Sequence, residues 1–259
     1  MKSNKYQIIT PSASLKTNKL NKLIDTECLF GETFNVLYSK GSFSYGVSDV
    51  DRYEGWIKSN SLDFSITTNY VIAQTRTTVL SKPTVKSQLI FFLHMRSKIN
   101  VVEIIDNWAK ISLLHKGKIK YGYIFKSHIL KKNNFQFDWV KYAECFVGAP
   151  YRWGGRNSIG LDCSALLQLS IAFKGEIIPR DTKDQIKFFS RSKNYNVFEF
   201  SLSFNLNRGN IIFWDGHVAI ILDNNKLIHA SGAHNEVIIE KIKVTIARIK
   251  KWSKLVIEV

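Results

Sequence analysis

The sequence is poor in cysteine and in acidic residues. Among its 259 residues are three cysteines, Cys28, Cys145 and Cys163, and 21 acidic against 37 basic side chains. Three widely spaced cysteines argue against a disulfide framework and for a reducing compartment. Neither a Cys-x-x-Cys nor a His-Glu-x-x-His pattern occurs, so we expect no metal site and no cofactor.

Long apolar runs are also missing. No segment reaches the ~18 uninterrupted apolar residues of a membrane span, and residues 1–23 have neither an apolar core nor a small-residue cleavage site. We therefore expect a cytoplasmic protein that makes no membrane contact. Hydrophobic residues still form 45% of the chain. That fraction is ample for one large domain or two to three small ones.

The formal net charge of +16 permits several interpretations. A basic surface suits nucleic acid, and it also suits acidic cell-wall fragments. However, the lysines are scattered along the whole chain beside many Ile and Asn residues, a pattern that A+T-rich coding produces without selection for a partner. We favour that explanation and expect no nucleic-acid partner.

A cysteine stands where a thiol nucleophile would be placed. Residues 151–169, YRWGGRNSIGLDCSALLQL, contain a Gly-rich loop, then Cys163, then an apolar run that predicts a buried helix beginning at the cysteine. Helix N-termini carry partial positive charge and unpaired N–H groups, which favour a thiolate and can hold a developing oxyanion. An isolated buried cysteine is nevertheless more often simple core packing.

Two histidines in β-rich segments supply a candidate base. Residues 209–222, GNIIFWDGHVAIIL, predict two strands around an Asp-Gly turn, with His217 opening the second strand and His229 on the next, KLIHASG. Such a hairpin sets two imidazoles side by side, so that His229 holds the His217 ring in the tautomer that accepts the thiol proton. A lone strand histidine is usually a core residue, but the pair in this context favours catalysis.

These residues resemble a known family. The segments GAPYRWGGRNSIGLDCSALLQ, IPRDTKDQ, GNIIFWDGHVAII and LIHASG, in this order, are similar to the NlpC/P60 cysteine peptidases, which have a papain-like core and cleave bacterial peptidoglycan peptides. The resemblance implies that Cys163 is the nucleophile, His217 the general base and His229 the orienting third member.

The resemblance also implies substrate contacts. Tyr151 matches a tyrosine whose hydroxyl lies near the nucleophile. Asp162 and Ser164 match positions that hold D-glutamate and the free amine before it in the γ-D-glutamyl branch, and Thr182 falls where that branch has a small hydroxyl residue. The chain departs from the family at Ala165, where Gly is usual, and at Asn210, where Asp is usual.

The N-terminal half resembles bacterial SH3 domains. Residues 28–62 alternate short β-rich runs with Gly turns and include the closing motif Tyr-Glu-Gly-Trp-Ile, followed by a leucine, and residues 89–130 repeat this pattern around Trp108. We place Tyr53 and Trp56 in the first barrel core. The predicted fold is α+β, a papain-like NlpC/P60 catalytic domain preceded by two small SH3-like β-barrels. The predicted domains are 1–75 (N-terminal arm and first barrel), 76–134 (second barrel) and 135–259 (catalytic).

In the family branch with such barrels, a barrel edge limits cleavage to peptides with a free N-terminal amine. We expect Glu54 to contact that amine, with Asp49 and Asp51 as alternatives, because an ammonium that leaves water needs an anionic partner. The other possibility is that Glu54 is an exposed turn residue. Cys28 and Cys145 are interpreted as core residues.

The function implied is hydrolysis of the γ-D-glutamyl to diamino-acid bond of murein peptides with a free N-terminal L-Ala, in peptidoglycan recycling. One alternative is a non-catalytic SH3-like protein that binds cell wall or a partner. Another is an amidase or acyltransferase on the papain-like fold. All three triad members are present, which favours the peptidase. The sequence leaves the diamino acid and the oligomeric state open.

Overall fold

The computed structural model describes residues 5–199, 205–249 and 255–258. Its contacts divide the chain into two compact units. Unit 1 runs to Asn134 and includes the short segment Arg156–Ser158, and unit 2 consists of Phe135–Gly155 and Ile159–Val259. The finer division into three domains stays a prediction.

The first part of unit 1 is a five-stranded antiparallel sheet with a separate hairpin. At the start of β4, the buried Phe34 and Val36 alternate with partly exposed residues. This pattern is typical of a strand that has one face against a core. The sheet order is β6-β5-β4-β1-β7, and β2 pairs with β3. The strands are β1 (Lys5–Ile8), β2 (Ser12–Leu15), β3 (Thr26–Leu29), β4 (Thr33–Lys40), β5 (Phe43–Ser48), β6 (Glu54–Lys58) and β7 (Leu62–Phe64).

The second part of unit 1 forms two further antiparallel sheets, β10-β9-β14-β13-β12 and β11-β8-β15. Lys116 and Gly117 both have positive φ and join β13 to β14 in the two-residue turn that suits a twisted hairpin. The strands are β8 (Tyr70–Ile72), β9 (Arg76–Leu80), β10 (Leu89–His94), β11 (Lys98–Ile99), β12 (Val101–Ile105), β13 (Trp108–His115), β14 (Lys118–Phe125) and β15 (Ile129–Lys131).

β8 pairs with β11 and β15. One detail of unit 1 differs from the sequence expectations. Trp56 is not a core residue. It is half-buried and packs its ring against Tyr38 and Tyr45, whereas Tyr53 does pack against the first core.

Unit 2 is built on one six-stranded sheet of order β18-β23-β19-β20-β21-β22 with helices packed on it. All nine residues of α2 are buried, which explains its largely apolar sequence. The strands are β18 (Asn196–Glu199), β19 (Ile211–Trp214), β20 (His217–Ile221), β21 (Lys226–Ser231), β22 (Glu236–Lys241) and β23 (Leu255–Glu258), with short strands β16 (Arg156–Asn157) in unit 1 and β17 (Gly160–Leu161). The helices are α1 (Val140–Glu144), α2 (Cys163–Ile171), α3 (Thr182–Arg191) and α4 (Ile242–Arg248).

α1 corrects the interpretation of one cysteine. Val140, Tyr142 and Ala143 of α1 and the later Phe146 are buried, whereas Cys145 turns to the surface and is exposed rather than part of the core. Cys28 is buried, as expected. Among the described residues, no helix has the length and apolarity needed to cross a membrane.

Candidate active site

Cys163 begins α2, as the sequence predicts, but the residue that caps the helix is Asp162. The Asp162 carboxylate accepts a hydrogen bond of 2.9 Å from the backbone N–H of Ala165, the usual N-cap geometry. Its other oxygen accepts from the backbone N–H of Gly154 at 2.9 Å. Asp162 therefore fixes the Gly-rich loop against the first turn of the nucleophile helix.

A buried arginine completes this corner. Arg180 donates to both carboxylate oxygens of Asp162, at 2.9 and 2.7 Å, and to the Ser164 hydroxyl at 2.7 Å. The Ser164 hydroxyl in turn donates to Asp162 at 3.0 Å. Both predicted substrate ligands, Asp162 and Ser164, are thus buried and bonded within the protein. The sequence interpretation did not include Arg180, since its partner lies 18 positions earlier.

The surroundings of the thiol overturn one expectation. Burial and the neighbouring Asp162 carboxylate raise the pKa of Cys163 to about 12, although hydrogen bonds from the backbone N–H groups of Val218 and Ser164 and the charge of Arg180 lower it. Burial therefore outweighs the helix N-terminus and favours the neutral thiol. The contact with Val218 places the sulfur against β20, next to His217.

The predicted histidine hairpin is present. β19 and β20 are joined at Asp215–Gly216, with Trp214 opposite His217 and Gly216 at φ 74°. Nε2 of His217 lies 2.7 Å from Nδ1 of His229 on β21, within hydrogen-bond distance as expected. His217 is half-buried and its ring packs against the buried Trp214, which restricts its orientation.

A carboxylate lies behind the histidine pair. Nε2 of His229 lies 3.2 Å from Oε2 of Glu240 on β22, and the same oxygen accepts from the Thr245 hydroxyl at 2.8 Å and from Arg248. Burial lowers the pKa of His229 to about 4. The pKa of Glu240 is also lowered: burial alone would raise it, but the bonds from Arg248 and Thr245 outweigh that effect.

The structure places Tyr151 near the nucleophile and Thr182 at a helix start. Burial, followed by the neighbouring Cys163 and Asp162 groups, raises the pKa of Tyr151 to about 12, so its hydroxyl stays protonated. Its backbone N–H donates to the carbonyl of Asn235 at 2.9 Å. Thr182 is half-buried at the first position of α3.

The two departures from the family pattern have local explanations. Ala165 is fully buried inside α2, where alanine is the better helix former by about 1 kcal/mol. Asn210 is also buried, and its side-chain oxygen accepts from the backbone N–H of Asn207 at 2.8 Å. Asn210 therefore keeps the turn bond that an aspartate would make.

In unit 1, the three candidate carboxylates differ in their partners. Asp49 is bonded by Lys5 and Thr33, each at 2.7 Å. Asp51 lies near Arg156: burial lowers the pKa of the Arg156 guanidinium, but the charges of Glu32 and Asp51 raise it by more. Glu54 is exposed and accepts from the Tyr45 hydroxyl at 3.3 Å. Its role toward a substrate amine stays a prediction.

Unit 1 also has a buried ionic cluster that the sequence did not indicate. Nη1 of Arg156 donates to both oxygens of Glu32 at 3.0 Å, and the backbone N–H of Arg156 donates to Glu27 at 2.9 Å. Asn157 donates to the same Glu27 oxygen at 2.6 Å. Their sequence separations of more than 120 positions explain why no local pattern reveals them. In the described ranges, no three His, Cys, Asp or Glu side chains are grouped as metal ligands.

Comparison with known proteins assigns these elements to two families. Residues 148–255 match the NlpC/P60 family, and residues 17–62 match the bacterial dipeptidyl-peptidase SH3 domain. Along the sequence, the chain has a bacterial SH3 domain followed by an NlpC/P60 domain. Cys163, His217 and His229 all fall inside the NlpC/P60 match, so residues 148–255 form the cysteine peptidase domain of this chain.

Individual relatives cover most of the chain. Dipeptidyl-peptidase 6 of Lysinibacillus sphaericus is 28% identical over 236 residues, which is 83% of each protein. The gamma-D-glutamyl-L-lysine dipeptidyl-peptidase of Bacillus subtilis is 25% identical over 187 residues, 64% of this chain and 59% of the relative. An NlpC/P60 family protein from Bacillus cereus has the same fold, with a TM-score of 0.79 at 17% identity and coverage of 97% and 98%.

Proposed function

We propose that this protein hydrolyses the γ-D-glutamyl to diamino-acid bond of murein peptides that have a free N-terminal L-Ala. The observation that carries the proposal is the Cys163 thiol at the start of α2, against β20, whose His217 lies within hydrogen-bond distance of His229 on β21. Two relatives named dipeptidyl-peptidases support the choice of substrate class.

The chemistry begins from a neutral thiol. The Cys163 sulfur attacks the γ-carbonyl carbon while its proton passes to His217, so no preformed thiolate is needed. The carbonyl oxygen becomes an oxyanion near the backbone N–H of Cys163, which has no acceptor within the helix because it lies in the first turn. His217 then protonates the amine of the diamino acid as the C–N bond breaks. Water, deprotonated by His217, cleaves the thioester and regenerates the thiol.

The predicted substrate-binding residues differ in how exposed they are. The half-buried Tyr151 presents a protonated hydroxyl beside Cys163 and Asp162, which suits donation to a substrate oxygen. Asp162 and Ser164 already hold the helix start and Arg180. We propose that these two residues act mainly by fixing the nucleophile, and that Tyr151 and Thr182 make more of the direct contacts.

The test is hydrolysis of synthetic peptides followed by mass spectrometry. The substrates are L-Ala-γ-D-Glu-diaminopimelate, L-Ala-γ-D-Glu-L-Lys and the N-acetylated form of each. We expect L-Ala-D-Glu and the free diamino acid as products, with Cys163→Ala inactive and Cys145→Ser unchanged. Hydrolysis at another bond would refute the assignment of the bond. Binding without hydrolysis would favour the non-catalytic alternative.

The requirement for a free amine is tested separately. We propose that Glu54 supplies the anion, because Asp49 and Asp51 already face cations of unit 1. Glu54→Gln should raise KM for the free peptide, and Asp49→Asn and Asp51→Asn serve as matched controls. Equal cleavage of acetylated and free peptides would remove the amine requirement altogether.

A role in recycling and a cytoplasmic location are proposals from the sequence alone. Cell fractionation with an antibody to the protein tests the location. Accumulation of intact murein tripeptides in cells that lack the protein tests the recycling role. Accumulation of larger wall fragments outside the cell instead would place the enzyme in wall remodelling.

A further inference from the structure

The polar chain behind His217 extends one residue further than the three members that the motifs indicate. Glu240 lies on β22, and its Oε2 is 3.2 Å from Nε2 of His229. In the strand register His229 is opposite Ile238, so Glu240 is its diagonal neighbour on the same face of the sheet. His229 itself is fully buried.

We propose that Glu240 is a positioning residue that fixes the tautomers of both histidines and thereby directs the Nδ1 lone pair of His217 toward the thiol proton. The proposal rests on the proposed function in that it assumes Cys163 is the nucleophile. It concerns a residue outside the Cys-His-His set.

The direction of each hydrogen bond follows from the chemistry of Glu240. Arg248 and the Thr245 hydroxyl both donate to its Oε2, which keeps the side chain ionised and therefore an acceptor only. The proton between Glu240 and His229 must then belong to Nε2 of His229. A neutral imidazole has one N–H, so Nδ1 of His229 is an acceptor.

The same reasoning determines the tautomer of the His217 ring. Nδ1 of His229 and Nε2 of His217 are 2.7 Å apart, and because the former is an acceptor, the latter carries the proton. A neutral His217 consequently has its lone pair at Nδ1. The opposite arrangement would set an unprotonated Nε2 of His229 against the Glu240 carboxylate, two acceptors facing each other in a buried site.

The direct test is the tautomeric state of the two rings in the protein without substrate. In ¹⁵N-histidine-labelled protein at pH 7.5, long-range ¹H–¹⁵N spectra should show both His217 and His229 protonated at Nε2, assigned with His217→Ala and His229→Gln variants. In Glu240→Leu, His229 should become a mixture of tautomers. A His229 protonated at Nδ1 in the wild type would overturn the proposal.

Kinetics provide the second test. Glu240→Leu should lower kcat by up to about 100-fold, the lower part of the range that a general base contributes, with KM changed by less than about twofold. Glu240→Gln should recover to within about fivefold of wild type, because its amide oxygen accepts from His229 although charge is lost. Equal loss in both variants would mean that charge and not the acceptor matters, against the proposal.

Two controls separate this proposal from folding and from the identity of the substrate. Glu258→Leu alters a glutamate of the same sheet that lies on β23, which β19 and β20 separate from β21, and it should change neither kcat nor tautomers. The rate at which iodoacetamide alkylates Cys163 needs no peptide, and it should fall in Glu240→Leu in parallel with kcat. If no murein peptide is cleaved but alkylation and tautomers respond as described, the proposed function fails and the role of Glu240 stands.

Discussion

Each unit of the molecule contains a buried, neutral histidine, and the two histidines have different hydrogen-bond partners. His94 of unit 1 and His229 of unit 2 are 2% and 0% exposed, and burial lowers the pKa of each to about 4. Nδ1 of His94 bonds the Ser158 hydroxyl at 2.9 Å. His229 lies between a carboxylate and a half-buried second histidine.

The comparison shows that a strongly shifted pKa does not by itself mark a catalytic group. A buried histidine that bonds a single hydroxyl is a satisfied core residue, whereas His229 is linked through His217 to the region of a nucleophile. The same contrast holds for cysteine. Burial and neighbouring carboxylates raise the pKa of both Cys28 and Cys163. Cys163, however, accepts a hydrogen bond from the backbone N–H of Val218, the residue that follows His217 on β20.

The largest expected effect separates the two buried cysteines. Cys163→Ala should reduce kcat by at least about 10³-fold, the scale on which triads lose activity with their nucleophile, while the urea midpoint changes little. Cys28→Ser should lose some stability, because it places a hydroxyl in the first core, but should keep its kcat per folded molecule. Steady-state kinetics and urea unfolding of the two purified variants decide this, and near-normal turnover in Cys163→Ala would refute the assignment.

A smaller contrast is expected within the histidine pair. His217→Ala should lower kcat by about 10²–10⁴-fold, since it removes the group that transfers the proton. His229→Gln should keep measurable activity, because the amide oxygen can still accept from Nε2–H of His217. Single-turnover rates measured on the same peptide compare the two. Equal and complete loss in both variants would give His229 a role other than orientation.

Stability at acid pH tests the common feature of His94 and His229. Each pKa falls from 6.5 unfolded to about 4 folded, so between pH 4 and 6.5 the unfolded state binds more protons. The resulting stability is present above pH 6.5 and is lost as the pH falls toward 4. About 2–3 kcal/mol should be lost for each histidine between pH 7 and 4.5.

Substituting each histidine in turn shows how much of the loss of stability at acid pH it causes. His94→Gln and His229→Gln should each weaken the pH dependence of urea unfolding, measured at pH 4.5 and 7, and the double variant should weaken it further. His94→Gln should not alter the alkylation rate of Cys163. An unchanged pH dependence in either single variant would show that its imidazole is protonated in the folded state.

The local parts of the site were predictable from sequence, and the parts set by long-range packing were not. The Asp215–Gly216 turn fixes the β19–β20 register, and an apolar run after Cys163 identifies α2, because both signals lie within ten residues. Glu240 required the register of β21 on β22. Arg180 required the fold of the chain between α2 and α3, and the sign of the Cys163 pKa shift required the extent of its burial.

The same distinction between local signals and long-range packing applies to the fold. The aromatic-x-Gly-Trp-Ile motif identified the first barrel, but it did not show that Trp56 packs with Tyr38 and Tyr45 outside the core. The pairing of β8 with β11 and β15 joins segments about 30 and 60 residues apart. The interpretation of Cys145 as a core residue was wrong, because the sequence does not reveal which side of α1 is buried.

The smallest expected effect separates two tyrosines of unit 2. Burial raises the pKa of both Tyr151 and Tyr195, but the further causes differ: Cys163 and Asp162 for the former, Glu176 for the latter. Tyr151→Phe should lower kcat by roughly 2- to 13-fold, the loss of one ordinary hydrogen bond of about 0.5–1.5 kcal/mol. Tyr195→Phe should leave kcat unchanged.

These variants also decide how the Tyr151 hydroxyl acts. If it donates to the oxyanion, kcat should fall while KM and the iodoacetamide alkylation rate of Cys163 stay constant, because neither involves the tetrahedral intermediate. If it binds the substrate in the ground state, KM should rise instead. A fall in the alkylation rate would show that the hydroxyl acts on the thiol itself, and Tyr151 would then belong with His217 rather than with the substrate.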